Sequence, residues 1–275
     1  MSGATGAILR IRAALRLYAR LVSCSIRAKM QYRFDFLAST AIQATMGLYD
    51  FLLVAVILWK FKSVAGWNIY EIGVLYAVAR AGYGMYRMVC NELERFDQYI
   101  VNGEFDSILI RPYPTLFVLL SRDFDFTRVT WLVQGAALLA LCTAPLIRSG
   151  TLTWPSLLHI VLTSVWSALL YAAVALATAA AAFWIVRIEE LQVFTLNATS
   201  SATLYPLDIY PAWMRAALLY VIPLGMGNYV PVKYLLGKGG SAASLVLPPF
   251  VAVCSLLVAY RLWLWGETRY HSTGS

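Results

Sequence analysis

Charge is what this sequence has least of. Asp, Glu, Lys and Arg make up 13% of its 275 residues while 60% are apolar, against about 25% charged in soluble domains. That shortfall excludes a water-solvated fold and points to lipid as the solvent. Period-two alternation over ten-residue segments is also missing, which excludes outer-membrane strands, since in hydrocarbon only helices or closed barrels satisfy the backbone. Cysteine is scarce and scattered: Cys24, Cys90, Cys142 and Cys254 form no C-x-x-C pair, so neither a disulfide framework nor a metal site is indicated. His159 has no second histidine beside it. There is no G-x-x-x-x-G-K-S/T phosphate loop, the nearest string, Gly237-Lys-Gly-Gly-Ser241, having the wrong spacing. No nucleophile, base and orienting group recur at a spacing that nominates an enzyme.

What is present is a series of apolar runs of spanning length separated by short polar joints. Residues 7–33 are amphipathic, with Ile8, Leu15, Tyr18, Leu21, Val22 and Ile26 at helical spacing among seven Arg and Lys. This reads as a cytoplasmic interfacial helix over 1–33, or as a plain topogenic basic tail. The arginines interrupting its apolar stretch argue against a cleaved signal. Spans are then expected at about Phe34–Trp59, Ile69–Val89, Phe126–Ile147, Leu157–Val186, a fifth starting near Leu191, and Ala243–Trp265, with a cytoplasmic tail over 266–275. The second carries a small-residue stripe, Gly73, Ala77 and Ala81, of the kind that lets helices approach closely in lipid. Pro206, Pro211, Pro223 and Pro231 forbid one straight helix between Leu191 and Leu236. A helix followed by re-entrant or interfacial pieces over 205–236 fits best. The net charge of +8 sits at span ends and is heavier on one side, so it sets orientation with both termini inside and does not imply nucleic acid.

Three places could carry function. Segment 91–112 holds an apolar ridge of Leu93, Phe96 and Ile100 among charges, is broken at Gly103 and returns through Arg111-Pro112. It suits docking into the groove of a soluble partner, or lying on the bilayer. The proline-broken stretch 204–237 could close the far end of a pathway, or act as a structural cap. Asp50 and Arg80 both fall at membrane depth, where charges face the bundle and find partners; a structural ion pair is favoured over a substrate or proton site. Asn197-Ala-Thr199 fits a glycosylation pattern but falls within a span.

The segment Glu104-Phe-Asp106 to Leu109-Ile-Arg-Pro112, the stretch Tyr205 to Gly237, and a tail of Gly266, Arg269 and Tyr270 together resemble permeases of the ABC-2 type, in particular the small bacterial branch formerly carried as a domain of unknown function. The resemblance covers nearly the whole chain. It implies an all-α integral membrane fold of six transmembrane helices over 34–265, with an N-terminal interfacial helix, a cytoplasmic coupling helix over 91–112 and re-entrant helices before the last span. It implies export of an amphipathic substrate from a bacterial inner membrane, by two permeases, identical or related, and two ATPase subunits that hold the ATP and Mg, with no cofactor on this chain. Coupling is then expected at Glu94, Phe96, Glu104, Phe105 and Asp106, and substrate contact at Tyr83, Tyr86 and Phe194. Asp50 and Arg80 match no motif of that family. The rivals are a secondary transporter, which would show inverted repeats that are not evident here, and a self-sufficient membrane protein of another kind.

Overall fold

The structure, a computed structural model, describes residues 33–61, 63–185 and 187–271, together with the isolated helical positions Arg16, Arg20, Ser23 and Arg27. The expected interfacial helix over 1–33 therefore lies almost wholly outside the described residues, as do Cys24 and the end of the tail. Among the described residues all regular structure is helical. Three helices are long and apolar enough to cross a membrane: Phe126–Arg148, Trp154–Ala181 and Ala243–Glu267.

The long elements are α1 (Arg33–Phe61) and α2 (Ile69–Cys90). They are joined by a tight turn in which Val64 and Trp67 exchange backbone hydrogen bonds of 3.0 and 2.9 Å. Ala65 and Gly66 take φ of 51° and 80° there, the pair of positive values that a hairpin-type turn requires. α2 starts with a full capping box: the Asn68 side chain accepts from the Glu71 N–H, and Glu71 accepts from the Asn68 N–H. Two orphan donors are thereby satisfied and α2 begins at a fixed residue. Four short pieces follow, namely a 3₁₀ turn (Asn91–Arg95), α3 (Phe96–Val101), α4 (Glu104–Leu109) and α5 (Thr115–Leu120). The chain then returns as α6 (Val129–Arg148) and α7 (Trp154–Ala181).

α2 lies antiparallel to α6, and small residues set the distance. A Cβ on Gly73 would stand 2.3 Å from the Cys142 sulfur, one on Gly84 3.1 Å from the Trp131 Cβ, and one on Gly135 3.1 Å from the Ala77 carbonyl oxygen. The stripe Gly73, Ala77, Ala81 is thus used inside the subunit. α7 runs parallel to α2, with Gly82 against Ser167 and Tyr86 stacked on Tyr171. α1 is held on α6 and the 3₁₀ turn before it by polar contacts: Gln134 of α6 donates to the Ala44 carbonyl at 2.7 Å, and Arg128 of the turn donates to Gln43 at 2.8 Å. Its remaining apolar side chains that are described, Phe34, Leu37, Met46 and Leu52 among them, are exposed.

α7 ends at Ala181, five residues short of the expected Val186, because the chain turns to place Phe183 among Phe96, Phe105 and Trp263. Beyond it the chain is helical only in pieces. α8 (Glu189–Gln192) widens into a π-helical turn and continues as α9 (Thr199–Ala202). Then come α10 (Ala212–Ala216), α11 (Leu224–Gly227) and α12 (Tyr229–Leu235). Pro211 and Pro223 sit just before α10 and α11, where a missing N–H costs nothing. The last helix, α13 (Ala243–Glu267), accommodates Pro248 and Pro249 within its first half. Its C-terminal end meets that of α7, with Gly266 against Phe183 and Trp265 against Trp184.

Gly135→Leu should force α2 and α6 apart and cost about 1–3 kcal/mol, the usual price of overpacking. Leu141→Ala, on a side chain 71% exposed, should leave the thermal midpoint nearly unchanged. Melting the purified variants in detergent checks both; equal midpoints would mean that the close approach carries no stability.

Candidate functional site

Segment 91–125 is welded to the ends of the long helices. Phe96 and Phe105, both 0% exposed, pack into an aromatic cluster: Phe96 lies 4.5 Å from Trp263 and 5.3 Å from Phe105, and Phe105 lies 5.0 Å from Tyr270, between ring centroids. Gly103, at φ 70°, supplies the left-handed step that folds α4 back against α3. Trp263 donates to the Thr115 hydroxyl at 3.2 Å, which donates to Glu267 at 3.1 Å. Gln192 donates to the Leu93 carbonyl at 3.2 Å, tying α8 to the same segment. The apolar ridge expected to enter a partner's groove therefore faces this protein's own core. The residues that the segment presents outward include Arg95, Gln98, Val101, Asn102, Glu104, Ser107, Leu109, Ile110 and Arg111, with Ile110 85% exposed. Ile110 and its neighbour Tyr113 were missed by sequence reasoning, although the Arg111-Pro112-Tyr113-Pro114 run, which no helix can continue, marks them as a surface elbow. Glu104 is exposed and 3.5 Å from Arg122; Asp106 is half-buried. Tyr99 donates to Glu92 under the ring-stacked Arg122; burial first, then that carboxylate, raises the Tyr99 hydroxyl above its ordinary pKa.

Above the segment a polar chain climbs α2. Glu94 holds Arg87 at 2.9 Å and accepts from Tyr86 at 2.8 Å. Arg87 donates to the Tyr83 oxygen at 3.3 Å, and Tyr83 donates to Asn197 at 3.2 Å. Two cavities flank this chain. The lower, of about 280 Å³, is lined by Arg87, Glu94, Asp97, Arg128, Glu189 and Asn197 among others. The upper, of about 170 Å³, is lined by Tyr76, Arg80, Tyr83, Tyr171, Ser200, Ser201 and Tyr205 among others. Tyr83 borders the upper cavity and Asn197 the lower, so their hydrogen bond partitions the two. Tyr86, 2% exposed, is core and lines neither; Phe194, 66% exposed, stands on the outer face of the 189–202 run. The Arg80 guanidinium lies 5.0 Å from the Trp131 ring and 5.9 Å from that of Tyr76. Asp50 is on α1, but its side chain lies outside the described residues, so the expected pairing with Arg80 does too.

At the opposite end the proline-broken stretch is clasped to the start of α2. Asp208 accepts from the Trp67 indole at 3.0 Å and from Lys233 at 2.8 Å, with Arg215 at 3.8 Å. Lys238 reaches Glu71 at 3.0 Å and lies over the Trp67 ring. Gly227, between these anchors in sequence, packs on Ser167 and Leu170, midway along α7. Burial pushes the Asp208 carboxyl up, but hydrogen bonds from Lys233, Tyr229 and Trp67 outweigh it and hold it below its ordinary 3.8. No group of three or more His, Cys, Asp or Glu that could hold a metal ion occurs among the described residues.

Compared with known protein families, residues 44–274 match the family described as ABC-2 family transporter protein. No curated protein matches the chain.

A carboxyl whose pKa is depressed by folding stabilises the fold fully above its unfolded value, and that contribution is lost as pH falls through the lower folded one. The Asp208 clasp should therefore hold at neutral pH and fail below about 3.8. Asp208→Asn should melt lower than wild type at pH 7, and the gap should close as the pH is taken from 5 to 2.5. A gap independent of pH would assign the effect to packing.

Proposed function

The chain belongs to the ABC-2 family of transporter proteins, and from that premise we propose that it is the membrane-spanning permease of an ATP-driven exporter in a bacterial inner membrane. It works with two ATPase subunits, which hold ATP and Mg, and with a second permease, identical or related. Six spans are counted by adding α1, α2 and the 189–202 run to the three helices of clear spanning length. Both termini lie in the cytoplasm, with 1–33 as an interfacial helix and 266–275 as a short tail. The 205–236 stretch is re-entrant, a reading supported by Gly227 reaching the middle of α7 while Asp208 and Lys233 stay together at the outer end.

The observation that carries this reading is the build of segment 91–112, which has a buried aromatic root and an exposed rim. Phe96 and Phe105 act as the root, transferring displacement to α13 and to the Phe183 turn after α7. Glu104 and Asp106, with Val101, Leu109 and Ile110, offer the rim to the ATPase, rim charges steering and apolar side chains anchoring. Glu94 links the segment to the pathway: its ion pair with Arg87 leads through Tyr83 to Asn197. Closure of the two ATPases on ATP would pull this chain and open the partition between the cavities. The substrate passes between two permeases along α1, α2 and the 189–202 run, where Tyr83 and Phe194 meet it and Tyr86 holds Tyr83 in place. Asp50 and Arg80 form a structural pair between α1 and α2.

Purification in mild detergent from the native membrane should recover a soluble ATPase with the wild-type chain. Ile110→Arg should lower its yield more than tenfold, a loss of the size a central anchor produces, while the permease's own melting midpoint stays put. Full retention by Ile110→Arg would move the docking surface elsewhere, and no ATPase even after cross-linking would overturn the exporter reading.

A further inference from the structure

Where α7 and α13 end, two indoles and two arginines stand outside the core. Trp184, in the turn after α7, and Trp265, near the end of α13, lie 4.9 Å apart between ring centroids and are 45% and 53% exposed. The Arg269 guanidinium lies 5.9 Å from the Trp265 ring. Arg261, one helical turn before Trp265, is exposed as well. α13 is long and apolar enough to cross a membrane, and exposed indoles at the end of such a helix mark the boundary between hydrocarbon and water. The two arginines flank that boundary.

Their position on α13 is unusual for charges in a membrane helix, which as a rule face the bundle. Arg261 shares its face with Phe250, Leu257 and Val258, all exposed, eleven, four and three residues before it, the spacings that place side chains on one side of a helix. Among the described residues neither Arg261 nor Arg269 forms an ion pair within the chain; the pairs that do form engage Arg87, Arg122, Arg128, Arg215, Lys233 and Lys238. Glu267, which stands between Trp265 and Arg269 in sequence, is turned inward, accepting from the Thr115 hydroxyl beside the buried Trp263. An apolar row that ends in two cations at the headgroup level is complementary to a lipid with an anionic headgroup. The planar fork of arginine matches phosphate oxygens. A second copy of the chain fits this face less well, because two copies crossing the bilayer in the same direction would set Arg261 against Arg261 at one depth.

We propose that the ends of α7 and α13 form a binding site for an anionic phospholipid, its phosphate held between Arg261 and Arg269 beside the two indoles and an acyl chain lying along Phe250, Leu257 and Val258. The site is independent of the permease reading and of any ATPase.

The test is native mass spectrometry of the full-length chain in a neutral detergent, titrated with phosphatidylglycerol, with phosphatidylcholine of the same acyl chains, and with glycerol phosphate. Phosphatidylglycerol should bind saturably and at least fivefold more tightly than phosphatidylcholine, and glycerol phosphate should not saturate. Arg261→Gln and Arg269→Gln should each weaken phosphatidylglycerol about fivefold, the worth of one cation at a membrane surface. Arg148→Gln, at an exposed position on the opposite end of α6, should change nothing. Arg269 lies in the turn beyond the helix, so its variant guards against a folding effect of the Arg261 change, and both should melt with wild type when no lipid is added. Equal binding of the two lipids, unchanged affinity in Arg269→Gln, or the same loss in Arg148→Gln would overturn the site. Glycerol phosphate binding as tightly would overturn the lipid assignment. Disulfide capture of one copy by another through Leu257→Cys in phosphatidylglycerol would mean that a second copy covers this face, and would overturn it too.

Discussion

Helices in a bilayer gain nothing by hiding apolar side chains from one another, because lipid tails are as apolar as leucine. The packing of this protein therefore depends on how closely α2 approaches α6 and α7. Gly73, Gly84 and Gly135 set the first distance and Gly82 the second, and at each a single methyl would meet an atom of the neighbouring helix. Dispersion contacts at such range are individually small and collectively sufficient. With α2 fixed between two neighbours, Arg80 and Tyr83, which pack on Trp131 of α6 and, for Tyr83, on Tyr171 of α7 as well, are fixed too, and Arg87 follows one turn on. Both cavities and the partition between them follow from that placement.

The two ends of the molecule are built by different means. At the 91–125 end the cohesion is aromatic, with Phe96, Phe105, Phe183, Trp263 and Tyr270 in mutual edge and tilted contact, an arrangement that adds roughly 0.5–1.5 kcal/mol per pair beyond area burial. At the other end it is electrostatic, through Asp208, Lys233, Arg215, Glu71 and Lys238 around Trp67. Ion pairs at a wet surface exchange partners at little cost.

Much of this was legible in the sequence, and the parts that were not share a cause. Hydrophobic periodicity tells which residues share a face, never what covers it. The spacing of Leu93, Phe96 and Ile100 gave the ridge correctly, yet a ridge turned toward a partner and one turned toward the chain's own core read alike. Likewise Tyr83 and Tyr86 are three residues apart and similar in kind, and only tertiary contact makes one a cavity wall and the other core. The end of α7 was overestimated because residues 182–186 are apolar in either conformation; the signal lies in where Phe183 goes. By contrast the Gly73, Ala77, Ala81 stripe and the role of the prolines in breaking 204–237 followed from backbone rules that tertiary structure does not override.

The chain from Glu94 to Asn197 has an order of strengths that fixes how it must yield. Its first link is an ion pair at 2.9 Å with both side chains mostly buried, a charge-assisted contact about twice as strong as a neutral one. The next two, at 3.3 and 3.2 Å, are longer, and the last joins two uncharged groups, worth about 1 kcal/mol net. Any displacement of the 91–95 turn therefore carries Arg87 along and breaks the chain at Tyr83. The break falls between a wall residue of the upper cavity and one of the lower, so under the proposed permease reading a pull on the segment would open the partition there. A partition closed by one neutral hydrogen bond is opened at a cost of about 1 kcal/mol net.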